Sequence, residues 1–271
     1  MEKKVIYDCV TFFQENLHME LRINILKDIV DRFVVCESVF DHRGNKKKIN
    51  FSKYNYPEFV NKIDHIVIEK KFSKNNNPWK NQAIQREHIF KALGDLKDND
   101  YFMFSDPDEI PNPDTLKNLN LEKKFGIFFQ NIYTYKFNIL NRSESPWEGT
   151  RICKKKNLKS VDWLRHKVLS KNLKYPFWRI DKEKSIQMIK DGGWHFSYLL
   201  TPEQIATKFK SLAETSWDND KFINLDYIKK QIKKKKDLFN RGHTYEQVKI
   251  NDMYPKYILQ NLEKYKKWID Q

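Results

Sequence analysis

Four short runs rich in β-branched and aromatic residues, 4–11, 33–39, 65–69 and 101–105, are spaced so that a helix fits between neighbours. Such runs read as strands. Between the first two lies ENLHMELRINILKDIV, with Leu17, Leu21, Ile25 and Ile29 on one stripe of a helix. Residues 79–94 read as another helix, with Trp79, Ala83, Phe90 and Leu93 along one face. Arg86 falls on that stripe, one turn from Gln82, and an arginine on a packing face wants an anion from protein or ligand. The β-α-β-α-β order argues for an α/β fold with a mainly parallel sheet and helices on both faces. Ligands of such sheets bind at the carboxyl ends of the strands.

The second half differs. Residues 125–139 read as a long aromatic strand, with further strands at 149–155 and 163–169. After His195 the pattern turns helical, at 202–213, 224–239 and 255–269. Thr201, Pro202 and Glu203 supply an N-cap, a proline at the first helical position and an acidic first turn. No repeat and no long linker divides the chain, so 1–271 reads as one domain.

Composition narrows the function classes. Hydrophobic residues at 39% and aromatics at 14% support a sizeable core and exclude general disorder. No run of 18 apolar residues is present, and MEKKVIYDCVTFF, interrupted by Asp8, reads as a first strand rather than a signal peptide. Cys9, Cys36 and Cys153 form no CxxC pair and suit a reducing compartment, so a soluble cytoplasmic protein is expected. Lys+Arg is 51 against Asp+Glu 36, a net charge of +15 that favours anionic partners. The lysine runs 46–48, 154–156 and 233–236 lack interleaved glycines or aromatics, which reads as solvated surface rather than a specific nucleic-acid footprint. Peripheral contact with a membrane through that basic surface stays open. Neither GxGxxG nor GxxxxGK[ST] occurs, so no dinucleotide or P-loop motif is present.

Chemistry concentrates in YFMFSDPDEIPNP, where an apolar strand ends directly in Asp106, Pro107, Asp108 and Glu109. Carboxylates at i and i+2 can reach one divalent cation, and Pro107 stiffens the turn. Acids this close repel unless a cation neutralises them. Hard oxygen ligands suit Mg²⁺ or Mn²⁺, with positions left open for phosphate oxygens, so a nucleotide-sugar diphosphate is a natural guest. An exposed turn of this kind would add little to the core. The same residues equally describe an Asp-Pro turn leading to a helix N-cap at Asp114.

The second informative stretch is DGGWHFSYLLTPEQI. Gly192 and Gly193 permit close backbone approach. Trp194 offers a flat face for a sugar ring, and His195 is a candidate metal or phosphate ligand, or a satisfied core histidine.

These segments resemble glycosyltransferase family 17, the β-1,4-mannosyl-glycoprotein 4-β-N-acetylglucosaminyltransferase family that makes bisecting N-acetylglucosamine on N-glycans. The resemblance rests on FFQENLHMELR with Phe12, Glu15 and Arg22, on DRFVVCES ending in Glu37 and Ser38, and on SDPDEIP from Asp106 to Pro111. GWHFS from Gly193 to Ser197, followed by TPE, then KFKSLAE, DYIKK and MYPKYIL, continues it in order. The 140–180 region, where acceptor contacts are expected, matches poorly, and the membrane anchor and stem of animal members have no counterpart here.

The resemblance implies a GT-A-like fold and inverting transfer, with N-acetylglucosamine from UDP-GlcNAc as the expected donor group and a glycan as acceptor. It divides the chain into a nucleotide-binding half at 1–124, acceptor-side strands and loops at 125–200, and C-terminal helices at 201–271. Asp106 and Asp108, joined by His195, would hold Mn²⁺ or Mg²⁺ against the diphosphate. Glu109 would orient the turn. Arg86 would face the diphosphate or brace the aspartates, and Glu15, Arg22 and Glu37 would lie near the nucleoside unless they form a structural ion-pair set. Inversion needs a general base; Glu148, beside Trp147, and Asp191 are the two candidates, Glu148 preferred. A metal-dependent phosphodiesterase or nuclease, and a non-enzymatic nucleic-acid binder, are the competing classes. The first requires more His and Asp ligands at strand ends; the second requires steeply salt-dependent duplex binding.

Overall fold

In the computed structural model, which describes residues 4–271, strands form where the four runs predict them: β1 (Ile6–Phe12), β2 (Arg32–Ser38), β3 (Ile63–Ile68) and β4 (Tyr101–Ser105). They pair in parallel in the order β3-β2-β1-β4. The two-residue period divides each strand between two cores. Ile6, Val10, Phe12, Phe33 and Val35 point into one, and Tyr7, Cys9, Val34 and Cys36 into the other. Both faces are covered, which is why these runs are apolar almost throughout.

Helix α1 (Asn16–Leu26) covers the first face with Met19, Ile23 and Leu26. The predicted stripe of Leu17, Leu21 and Ile25 faces the other way, into a layer built by Tyr254, Ile258 and Tyr265 of the C-terminal segment. The helix is therefore buried on two sides, and Ile29 lies beyond its end. Helix α2 (Pro78–Glu87) continues as a 3-10 turn over His88–Ala92. Its inward residues are Asn81, Gln85, Arg86 and Ile89, while Trp79 and Phe90 of the predicted face are exposed. The polar face turns inward because it satisfies strand ends: Gln85 Nε2 donates to Cys36 O at 2.8 Å and to Phe12 O at 3.3 Å.

Past β4 the sheet becomes mixed. β5 (Glu109–Pro111) and α3 (Pro113–Lys117) lead to β6 (Phe125–Thr134), β7 (Ile139–Asn141) and β8 (Trp147–Lys154). β8 runs antiparallel between β4 and β6. The predicted strand at 163–169 is instead helix α4 (Val161–Lys167). Ser160 Oγ accepts from Trp163 N at 3.1 Å and Asp162 sits in the first turn, an N-terminus that outweighs the strand preference of the residues behind it.

β9 (Ile186–Ile189) and β10 (Gly193–Ser197) both run parallel to β6, and β10 also pairs antiparallel with β5. The segment holding His195 is thus a strand threaded between the two halves. Close approach at the glycine pair is to backbone. A Cβ on Gly193, at φ +118°, would lie 2.2 Å from Ile110 O, and one on Gly192 2.6 Å from Phe129 N.

Helix α5 (Pro202–Ser211) begins on the predicted Thr201 cap, in a reciprocal box with Gln204. Helix α6 (Leu225–Lys233) is shorter than expected: four consecutive lysines follow from Lys233, and Lys235 turns left-handed at φ 51°. β11 (Tyr245–Gln247) edges the sheet beside β7. The helix expected over 255–269 reduces to α7 (Lys256–Gln260) and a 3-10 turn at Lys266–Trp268. This last stretch is held by tertiary bonds instead, among them Phe137 N to Trp268 O at 2.8 Å. Among the described residues no helix is long and apolar enough to cross a membrane.

Candidate active site

A cleft of about 360 Å³ opens at the carboxyl ends of the parallel strands. Thr11, Phe12 and Phe13 enter it from the end of β1, Phe40, Asp41 and His42 from beyond β2, and Asp106 to Glu109 from beyond β4. Trp147, His195 and Lys208 close the other side, with Glu144 and Arg241 also in the wall. This is where a sheet of this type binds its ligand.

The acidic turn is buried and compensated rather than exposed. Glu109 is fully buried. Its carboxylate accepts from Trp147 Nε1 at 2.7 Å, from Arg165 Nη2 at 2.6 Å, from Arg165 Nη1 at 3.1 Å and from Asp106 N at 3.1 Å. Asp106 Oδ2 accepts from Arg165 Nη2 at 2.6 Å, and Arg86 Nη2 stands 3.6 Å from its other oxygen. Burial works to raise the Asp106 pKa, but Arg165 and then Arg86 outweigh it and hold the carboxyl below its ordinary value. The same contacts keep Arg165 more firmly protonated than usual, against the effect of burial.

Asp108 points elsewhere. His195 Nε2 lies 3.5 Å from Asp108 Oδ1, and Lys208 Nζ 3.5 Å from Asp108 Oδ2. Burial again opposes ionisation, yet Lys208 and His195 hold this carboxyl well below the ordinary range. His195 shifts upward in turn, because Asp108 more than offsets its burial. Its Nδ1 is buried and has no hydrogen-bond partner among the described residues. His18 from α1 lies behind, its Nε2 donating to Phe196 O at 2.8 Å; burial lowers its pKa and its Nδ1 also lacks a partner.

Of the residues singled out from sequence, the structure brings Glu15, Asp106, Asp108 and His195 to the cleft. Glu15 lines it while its Oε2 accepts from Phe13 N at 3.0 Å and Gln14 N at 2.9 Å, shaping the loop after β1. Glu109 and Trp147 line it too, whereas Arg22, Glu37, Arg86, Glu148, Asp191 and Trp194 lie outside its wall. Arg22 is fully buried beneath the turn, bidentate to Asp8 at 2.6 Å and donating to Ser105 Oγ at 2.7 Å and Glu109 O at 2.6 Å. Arg86 ties α2 to α4 through Asp162 at 2.9 Å and braces Asp106 from behind. Glu37 accepts from Lys47, from Asn50 N at 2.8 Å and from Phe51 N at 3.0 Å, fixing the loop after β2.

Trp194 takes the opposite face of β10 from His195, in the C-terminal core, with Nε1 donating to Met253 O at 3.2 Å. Strand alternation, invisible while β10 was unrecognised, removes it from the cleft; Trp147, whose ring centre is 5.6 Å from that of His195, is the aromatic in the wall. Glu148 turns away toward Ser170 and Arg151, because β8 also alternates. Asp191 sits at φ 49° in the turn before β10, and its carbonyl accepts from Thr115 at 3.0 Å.

Sequence reasoning missed Arg165 and Lys208. Arg165 lay in a segment read as a strand. Lys208 belongs to KFKSLAE, and its place on α5 one face away from solvent was the only available signal. Among the described residues no group of three His, Cys, Asp or Glu side chains is placed to share one metal ion.

The family model described as glycosyltransferase family 17 matches residues 1–268. No curated protein gives a significant sequence match. Among solved structures, HddC from Yersinia pseudotuberculosis complexed with GMP-PN is similar at a TM-score of 0.35 and 10% identity, covering 69% of this chain and 90% of that one. The inositol-1-phosphate CTP transferase from T. maritima is similar at a TM-score of 0.35 and 14% identity, covering 84% and 98%. A glycosyltransferase involved in the glycosylation of the major capsid of PBCV-1 gives a TM-score of 0.30 and 9% identity over 68% and 80%.

Proposed function

The chain belongs to glycosyltransferase family 17, and from that premise we propose that it transfers N-acetylglucosamine from a UDP donor to a glycan hydroxyl, with inversion and with a divalent cation at Asp108 and His195. The observation that carries this is the convergence of Asp108 Oδ1 and His195 Nε2, 3.5 Å apart in the cleft wall at the strand ends. A carboxylate oxygen and an imidazole nitrogen suit Mn²⁺ better than Mg²⁺, and leave coordination positions for diphosphate oxygens. A cation there would offset the charge of the departing UDP.

The chain's own residues do the rest. Arg165 and Arg86 fix Asp106, and Asp106 N bonds Glu109, so the turn is rigid before substrate arrives. Lys208 brings a second positive charge to the diphosphate position. Phe13 and Phe40 offer apolar faces to the nucleoside at the ends of β1 and β2. The acceptor hydroxyl must lose a proton during attack. Glu144 is the wall carboxylate for that role: it shares the acceptor side with Trp147, and Arg241 lies 3.2 Å from it.

Thermal-shift titration of nucleoside diphosphates with and without Mn²⁺ tests the reading. UDP with Mn²⁺ should raise the melting temperature more than GDP, CDP or ADP with Mn²⁺ and more than UDP alone. An equal response to all four, or no effect of the metal, would sink the donor and metal assignments.

A further inference from the structure

We propose that the segment joining α4 to β9 docks this protein onto an anionic lipid surface. After a 3-10 turn at Ser170–Lys174 the chain runs YPFWRIDKEK. Phe177 is 86% exposed, Trp178 66% and Ile180 94%. Phe177 and Ile180 are the two most exposed large hydrophobic side chains among the described residues. Single exposed apolar residues are ordinary, but adjacent ones projecting together mark an interaction site. The Phe177 and Trp178 rings meet edge to face at 5.2 Å, so they form one apolar wedge.

The wedge stands on an ordered base. Ser170 donates to Glu148 through its N, at 3.2 Å, and through its hydroxyl. Asn172 Nδ2 donates to Lys167 O at 2.7 Å, and Lys184 reaches back to Pro176 O. Arg179 is bidentate to Asp181 at 2.7 and 2.8 Å, and it and Lys182 lie over the Tyr175 ring at 5.2 and 5.4 Å. An apolar tip held this way enters a partner without a large ordering cost.

Its surroundings are cationic. Within 170–185, Lys171, Lys174, Arg179, Lys182 and Lys184 face only Asp181 and Glu183, five charges against two for a net +3. Lys159 reaches Glu183 at 3.9 Å. Lys124 N donates to Ser185 Oγ at 3.0 Å, which places one further lysine beside the end of this segment. Apolar insertion and a basic collar are the two signals that reversible membrane binding requires together. Tryptophan and phenylalanine beside lysines suit the headgroup boundary. A single-stranded nucleic acid would use the lysines and the rings, but Ile180, the most exposed of the three, offers it nothing to stack on.

The base of the wedge leads back to the site, since its anchor Glu148 follows Trp147 of the cleft wall. None of the three tip residues lines the cleft, so this proposal stands or falls apart from the donor assignment.

Co-sedimentation of the full-length protein with vesicles tests it. Wild type should pellet with vesicles of phosphatidylcholine and phosphatidylglycerol at low salt and stay in solution with phosphatidylcholine alone. Replacing the tip together, Phe177→Ser, Trp178→Ser and Ile180→Ser, should cut partitioning about tenfold or more, with melting temperature and UDP binding unchanged. Lys171→Glu with Lys174→Glu should weaken it similarly, and vesicle-induced blue-shifted fluorescence should vanish in Trp178→Phe. Failure of wild type to bind anionic vesicles, or equal binding by the triple tip variant, overturns the proposal. Single-stranded RNA binding that depends on the tip, in place of vesicle binding, overturns it in favour of a nucleic-acid partner.

Discussion

Arg165 Nη2 stands 2.6 Å from Asp106 Oδ2, so the first aspartate of the turn meets a guanidinium before any ligand arrives. Asp108, two residues on, instead faces His195 and Lys208. The two carboxylates that look alike in the sequence are divided between holding the turn and presenting it.

Asp108→Asn should lower transfer about a hundredfold or more, because it removes the anionic ligand that would hold the cation against the departing diphosphate. His195→Ala should weaken Mn²⁺ dependence and UDP affinity together. Calorimetric titration of UDP with and without Mn²⁺ checks both; wild-type metal dependence in either variant contradicts the assignment. Because Asp108 is buried against Lys208, Asp108→Asn should also lower the melting temperature by roughly 10 °C, as a lost buried ion pair does.

Arg165→Met should cost about 3–5 kcal/mol, since it leaves the fully buried Glu109 carboxylate without its cation. Arg86→Met should cost about 1 kcal/mol, because Asp106 and Asp162 are each about a third exposed and water can compensate. Urea unfolding of both variants gives the comparison, and a reversed order would reassign the brace to Arg86.

Glu144→Gln should depress kcat while leaving UDP affinity at its wild-type value, as expected for a group that acts on the acceptor only. Single-turnover transfer with saturating donor is the measurement. Glu148→Gln, turned toward Ser170, should leave kcat near wild type.

Glu20 links α1 to the chain end through Lys264 and through Tyr265 at 2.7 Å. Burial works to raise its pKa, but the hydrogen bonds from Lys264 and Tyr265 outweigh it and lower the carboxyl below its ordinary value. A depressed folded pKa gives stability that is present above the unfolded value, about 4.3, and is lost as pH falls through the folded one. Wild type should therefore exceed Glu20→Gln in stability near neutral pH, with the gap closing below about pH 4.3. A gap that persists at lower pH would exclude ionisation as its cause.

All three cysteines are buried and free. Burial pushes the thiols of Cys36 and Cys153 up to about 12, and that of Cys9 well above its ordinary value. Ellman's reagent at about pH 8 should find no reactive thiol in the native protein and three in denaturant.

The parallel half of the fold was legible because its strands are buried on both faces, so plain apolar runs mark them. The acidic turn was legible for the same reason, standing at the end of one such run. What escaped depended on partners distant in sequence. β10 has five residues, and it is a strand because β5 and β6 accept it from either side. Without that strand, nothing in GWHFS separates inward His195 from outward Trp194. Arg165 escaped because a capped helix of seven residues carries too few periods to announce itself. Glu148 and Asp191 were the carboxylates the sequence singled out as bases, and neither lines the cleft, because the direction in which β8 and the turn before β10 project cannot be read from residue type.

β10 lies between two strands, β5 and β6, that are both synthesised before it, and its glycine, Gly193, admits no side chain at the seam. During synthesis the Asp106–Asp108 turn leaves the ribosome long before His195 and Lys208 exist to meet it. A nascent chain can thus assemble β1 to β4 and still carry a buried-to-be acidic turn with half its countercharge missing. The cleft wall is complete only after the last third of the chain has closed over it, so transferase activity would report complete folding rather than the mere presence of the parallel-stranded half.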